Sequence, residues 1–398
     1  MVRKCTLDLL VVFTSGVSGG LTSPVDLAFR GRVSWCAALA VIPCVLVTLS
    51  ESGRAAAPEQ SSSGPRAVLV PATPVQLTGS VDSNSPAIWE RVRGRPTIFV
   101  FTSFDGMPSR ATSTSGFGLL GAPSGVSLNQ WPPGRIWLEA VVAAADGTWY
   151  GYYHNERDPT GCVDHGGKTV PRLGAMRSIN RGVSWKNLGT VLTLRRSTEV
   201  CDSPNQYFIG GVGDFSATLD RDEEYLYLFY SQYVRSPGSQ GVAVARLPWA
   251  DRDAPVGKIT VYDEGEWVPA RTVESTGAFT YPVAGPIFPV AGSWHDDTEP
   301  LLAYWGPSVH WNTYLNQYVM LLNRAKDMGW SQEGIYISFA PRLDDPELWT
   351  TPRKLLDGGG WYPQVMGLQT ESGTDKSAGA LARFFMSGTS EYLIQFVR

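Results

Sequence analysis

The chain has 398 residues, long enough for one large domain, and carries 42 Gly, 28 Pro, 15 Phe, 14 Trp and 16 Tyr. Gly and Pro weaken helix interiors while aromatics favour strands, so this composition predicts an all-β protein of short strands and tight turns. A net charge of −4, from 33 basic and 37 acidic residues without a basic run, excludes the clustered Lys and Arg that nucleic-acid binding requires.

Residues 1–57 read as a leader. Trp35–Leu49 is an apolar run behind Arg30 and Arg32, followed by small residues at Ala55, Ala56 and Ala57. It is shorter than the roughly 18 to 20 residues that span a bilayer, which points to a cleaved secretory signal near residues 30–57. The mature protein is then expected to be secreted or periplasmic, monomeric and free of the membrane. Residues 58–80, rich in Ser, Pro and Ala, are expected to form a linker. Three of the five cysteines, Cys5, Cys36 and Cys44, lie in the leader. Cys162 and Cys201 remain in the exported part, where an oxidising compartment permits a disulfide; two separate buried thiols are the other reading.

From Val81 to Arg398, strand pairs with period-2 patterning recur about 60 residues apart. They are "SPAIWERVRGRPTIFVFTS", "EAVVAAADGTWYGYYHNE", "DFSATLDRDEEYLYLFYSQ", "PSVHWNTYLNQYVMLLNRA" and a split pair, "YPQVMGL" with "AGALARFFMSGTSEYLIQFVR". A second, looser strand pair follows several of them, and "SINRGVSW", Ser178–Trp185, is expected to close the outer hairpin of the second unit. Five units of four strands predict a five-bladed β-propeller over residues 81–398.

"SINRGVSW" resembles the Asp-box turn of sialidases and related propellers, with Asn180 in place of Asp. The span from Val81 onward resembles the five-bladed propeller hydrolases of glycoside hydrolase families 43, 32 and 117, and "ISFAPRLDDPELW" is similar to a strand-turn-Trp segment of those enzymes. The resemblance implies a carbohydrate substrate and an acid from each of the first three blades: a base or nucleophile, a carboxylate that tunes its neighbours, and a proton donor.

Inner strands of a propeller line its channel, and residues at their starts converge from distant parts of the sequence. Those positions read as Asp82, Glu139, Asp214, His310 and Gln364. Glycoside hydrolysis needs two carboxyl groups across the scissile bond, so Asp82, Glu139 and Asp214 are the catalytic candidates. In the order of the resemblance, Asp82 takes the first role, Glu139 the second and Asp214 the third. Each also has a structural reading: Asp82 and Asp214 as turn residues, Glu139 as a carboxylate paired inside an apolar strand. His154, Glu156, His310, Trp311, Asn312 and Trp137 are candidate substrate contacts, with Glu156 the rival of Asp214 as proton donor. A core role is the other reading for His310, and blade packing for the Trp residues. The loops at residues 107–129 and 272–297 are expected to shape the pocket. No cofactor motif is present, although a structural calcium ion in the channel is compatible with the abundant oxygen ligands. A propeller that binds glycan or protein without catalysis is the second reading of function, and a sialidase the third.

Overall fold

In a computed structural model the described residues are 64–272 and 277–398, and they form β-strands joined by turns and short 3-10 segments. The leader, with its apolar run and its three cysteines, lies outside the described residues. Among those described, no helix is long and apolar enough to cross a membrane.

Five sheets carry the fold, antiparallel except for a short parallel pairing in each of two blades. The innermost strands are Ala87–Val92 in blade one, Arg135–Ala143 in blade two, Val212–Leu219 in blade three, Ala303–Asn312 in blade four and Gln364–Gly367 in blade five. Each of the five sequence pairs is the inner hairpin or split hairpin of one blade. This is the five-bladed propeller that the repeat predicts.

Alternation of side chains along each strand sends apolar residues to both faces of a blade, and packing between blades buries them. Phe101, Leu138 and Trp185 join blades one and two; Tyr152, Phe215 and Val261 join two and three. Phe229, Met320 and Tyr336 join three and four, Leu321, Phe339 and Phe384 join four and five, and Val100, Met366 and Phe385 join five and one. The inter-blade cores therefore close into a ring.

The strand that completes blade five corrects one expectation. Arg66–Gln76, expected within the linker at residues 58–80, pairs antiparallel with the last strand, Thr389–Val397. Its alternation, "RAVLVPATPVQ", puts Ala67 and Leu69 against the blade-five core. The prolines that suggested a linker are tolerated because this is an edge strand.

"SINRGVSW" joins Val170–Ser178 to Ser184–Leu192 in blade two. Ser178 Oγ accepts from the Gly182 amide at 2.9 Å, and Asn180 Oδ1 accepts from the Ser184 amide at 2.9 Å. Trp185 then packs edge-on against Phe101 of blade one, with ring centroids 5.9 Å apart. The turn closes an outer hairpin and pins one blade to the next.

Candidate active site

Three inner strands break their ladder at the same level. The register skips Glu139 in blade two, Asp214 in blade three, and Gly306 and Pro307 in blade four. A bulge turns the extra residue out of the alternation and re-aims its side chain. Here it delivers two carboxylates from adjacent blades to one cavity of about 210 Å3.

Asp82, Trp137, Glu139, His154, Glu156 and Asp214 all line this cavity, as does Trp305. Asp214 has φ +43°, and two aromatic neighbours in the lining, Trp330 and Tyr362, have φ +58° and +53°. Left-handed backbone at bulky residues costs energy and persists only where the surroundings impose it. Trp330 is held by stacking on Trp294 at 4.1 Å.

At the floor, Asp214 Oδ2 accepts the Tyr233 hydroxyl and Oδ1 accepts the Tyr362 hydroxyl at 3.0 Å. Glu139 is fully buried; its Oε2 accepts the Phe215 amide at 2.8 Å and its Oε1 lies 3.4 Å from His154 Nδ1. The Asp214 amide also points at Nδ1, from 3.2 Å. Gly213 makes this approach feasible, since a Cβ there would lie 2.6 Å from His154 Cε1. One atom of each of Glu139, His154 and Asp214 falls within 4.8 Å of the others.

Burial pushes the Glu139 carboxyl up, to about 7, against the pull of His154. Burial opposes a charged His154, but the Glu139 hydrogen bond and the charges of Asp214, Glu139 and Glu156 outweigh it and raise the imidazole to about 9. Glu139 and His154 therefore titrate as one coupled pair that still holds at least one proton at neutral pH. With the proton on Glu139, Nδ1 is free to accept the Asp214 amide; with it on His154, Nδ1–H faces Glu139. The other ring nitrogen, Nε2, lies 3.7 Å from Glu156 Oε1.

The two remaining acids stand nearer the mouth. Asp82 accepts the Trp137 indole N–H at 2.7 Å and the Asp105 amide at 3.1 Å. Burial raises its pKa, and these two donors oppose the rise. Glu156 accepts one donor, the Thr169 hydroxyl at 3.1 Å, and burial raises its pKa. Asp105 is tied to Arg135 at the rim.

His310, Trp311 and Asn312 are not at this site. The blade-four strand begins at Ala303 rather than Pro307, so Trp305 reaches the cavity and His310 stands five residues farther along, roughly 16 Å at strand rise. His310 is fully buried beside Phe396, neither ring nitrogen has a hydrogen-bond partner, and burial together with the Lys376 charge pushes it down to about 3. Asn312 caps a turn by accepting the Tyr314 and Leu315 amides at 3.1 and 2.8 Å. Trp311 faces Arg221 at 4.6 Å, beside a different cavity. Among the described residues, none from the loops at residues 107–129 and 272–297 lines the site either. Its walls instead include Tyr207, Phe208, Trp330, Trp361 and Tyr362; Trp361 and Tyr362 stand just before the blade-five inner strand, a position the repeat marks, whereas the other three lie on connecting segments whose only sequence signal was their type. Cys162 and Cys201 form a disulfide, with Cα atoms 5.4 Å apart.

No protein-family model matches the chain, and no curated protein does. Among solved structures, the chain is similar to an α-L-arabinofuranosidase from Lactobacillus brevis, with 13% identity, TM-score 0.45, and 80% of this chain covering 90% of that one. It is also similar to an exo-1,5-α-L-arabinanase from a bovine ruminal metagenomic library, at 12% identity and TM-score 0.43, covering 79% and 94% of the two chains. A protein of unknown function from Dyadobacter fermentans aligns at 10% identity and TM-score 0.45, covering 84% and 100%.

Proposed function

We propose that the chain is a glycoside hydrolase whose acid pair is Glu156 and Asp82, acting on a carbohydrate with water as the acceptor. The observation that carries this reading is that two carboxyl groups share one aromatic-walled cavity in unequal hydrogen-bond environments. Burial raises both, but two N–H donors oppose the rise at Asp82, whereas Glu156 accepts a single hydroxyl donor. Such a difference separates a proton donor from a base.

In the reaction, Glu156 gives its proton to the glycosidic oxygen as the bond from that oxygen to the anomeric carbon breaks. The leaving portion departs as an alcohol. Water supplies the hydroxyl that ends on the anomeric carbon, and the proton it loses passes to Asp82. Proton exchange with solvent then restores both carboxyl groups.

Asp214, with both oxygens held by tyrosine hydroxyls, is poorly placed to give or take a proton. It serves as negative charge at the floor that raises Glu156 directly, while His154 opposes that rise. Trp137, Trp305 and Trp361 offer apolar faces to a sugar ring. A disulfide fits an oxidising compartment, which agrees with export directed by the leader.

The test is hydrolysis of a panel of neutral and acidic oligosaccharides by the wild type, Asp82→Asn and Glu156→Gln. Loss of a general acid or base costs roughly 100- to 10,000-fold in rate, and each variant is expected in that range with binding retained. Glycan binding without hydrolysis by the wild type would instead make the propeller a binding module.

A further inference from the structure

The inner strands line another cavity, of about 300 Å3, at the opposite mouth of the propeller. Along three of them, Glu139, Asp214 and Trp305 face the catalytic cavity, and Val141, Leu219 and Trp311, farther on, face this one. No residue is common to the two linings. Between them the buried Asn84 donates to the Phe215 and Pro307 carbonyls at 2.9 and 3.1 Å, tying blades three and four across the channel. The wall of the far cavity is apolar, from Ile88, Val141, Leu219, Trp311 and Tyr318, and two cations reach it, Arg221 and Lys376. Lys376 is already compensated: its Nζ lies 2.6 Å from Asp375 Oδ2. Arg221 is not. Its guanidinium lies over the Trp311 ring at 4.6 Å, and among the described residues it has no ion-pair partner and no side-chain hydrogen bond. The neighbouring Asp220 is engaged elsewhere, accepting the Glu224 and Tyr225 amides at 2.8 and 3.1 Å.

We infer that this cavity is a second ligand site, separate from the catalytic one, for a small monocarboxylate with an apolar body. An apolar wall with one charged group placed on it is the usual make-up of a small-molecule site, and the volume stands at the roughly 300 Å3 where such sites begin. Stacking on Trp311 uses the face of the guanidinium and leaves its N–H edge for a ligand. That edge matches a carboxylate, whose two oxygens accept parallel N–H bonds from it. One uncompensated cation calls for one negative charge, because a second would be taken out of water without a partner. The body of the ligand then covers Ile88, Val141, Leu219 and the edge of Tyr318. This inference does not rest on the glycosidase reading.

The experiment is titration calorimetry of the full chain with cinnamate and octanoate, an aromatic and an aliphatic carboxylate, and with cinnamamide and acetate, which lack the charge or the body. The carboxylates are expected to bind saturably with Kd of about 1 mM or tighter, and both controls more weakly. Arg221→Gln is expected to weaken carboxylate binding about 10- to 100-fold while leaving cinnamamide unchanged. Arg221→Lys, which keeps the charge and loses the fork, should fall between. Asp82→Asn and Glu156→Gln, in the other cavity, should titrate as the wild type does. Binding of only one of the two carboxylates upholds the site and identifies its body as aromatic or aliphatic. Equal binding of cinnamate and cinnamamide, an Arg221→Gln protein that titrates as the wild type, loss of binding in the Asp82 and Glu156 variants, or no saturable binding of either carboxylate would each overturn the inference. None of these readouts depends on hydrolysis, so failure of the glycosidase reading leaves the test intact.

Discussion

Trp137 donates its indole N–H to Asp82 across the seam between blades two and one, at 2.7 Å. Of the two donors on this carboxylate, it is the only one from a side chain, so Trp137→Phe removes it while keeping an aromatic wall. A hydrogen bond to a charged group contributes about 1.5 to 3 kcal/mol, so kcat/KM is expected to fall about 10- to 100-fold. The donor stabilises the ionised form, and its loss raises the Asp82 pKa; the acidic limb of the pH–rate profile is expected to move to higher pH. An unmoved limb would detach Trp137 from Asp82 ionisation.

The coupled titration of Glu139 and His154 links stability to pH. Both groups are raised in the folded state, Glu139 from 4.5 to about 7 and His154 from 6.5 to about 9. Each favours the fold in its protonated form, so its contribution is complete below the unfolded pKa and is lost as pH rises through the folded one. Thermal melts are expected to show Tm declining from pH 5 to pH 9. In Glu139→Gln the decline between pH 4.5 and 7 should flatten, and that between 6.5 and 9 should weaken because His154 loses a partner. The same slope in wild type and variant would contradict the coupling.

Reduction of Cys162–Cys201 frees a loop of 39 residues. Chain entropy assigns such a cross-link about 4 kcal/mol, with 2 to 4 typical of measured cases. The double variant Cys162→Ser/Cys201→Ser is expected to unfold at lower denaturant, and a reducing agent should lower the wild-type midpoint without affecting the variant.

His310→Leu is expected to leave hydrolysis unchanged and to hold or increase stability. It removes two buried ring nitrogens that have no partner, and an unsatisfied buried polar group costs roughly 1 to 3 kcal/mol. A large loss of hydrolysis at wild-type stability would return His310 to the site.

The blades were legible in the sequence because each inner hairpin sets two apolar, aromatic-rich strands around a polar turn. Glu139 and Asp214 were legible because a carboxylate at the pocket end of an inner strand stands out from the apolar run around it; Asp82 was read from its place just before the first inner strand, His154 and Glu156 from the strand beside Glu139, and Trp137 from its place on the strand of Glu139. His310 misled for the same reason. It too is polar in an apolar strand, but it faces the interior between blades, and only the true strand start at Ala303 shows which end meets the cavity. The tyrosines that hold Asp214 could not be read at all. Tyr233 follows a strand of blade three and Tyr362 precedes one of blade five, and their meeting depends on ring closure.

The ring is closed by the pairing of Arg66–Gln76 with Thr389–Val397. During synthesis, the first strand of the fold emerges long before its partner exists. Blade five remains a partial sheet until Thr389–Val397 has emerged, and the entropy of bringing the two strands together is offset only at that step. Contacts so distant in sequence slow folding, and until they form, the edge awaiting Arg66–Gln76 is open to strands of other chains. The last step of folding is therefore the joining of the two ends of the fold, and the time the edge stays open is set by that step.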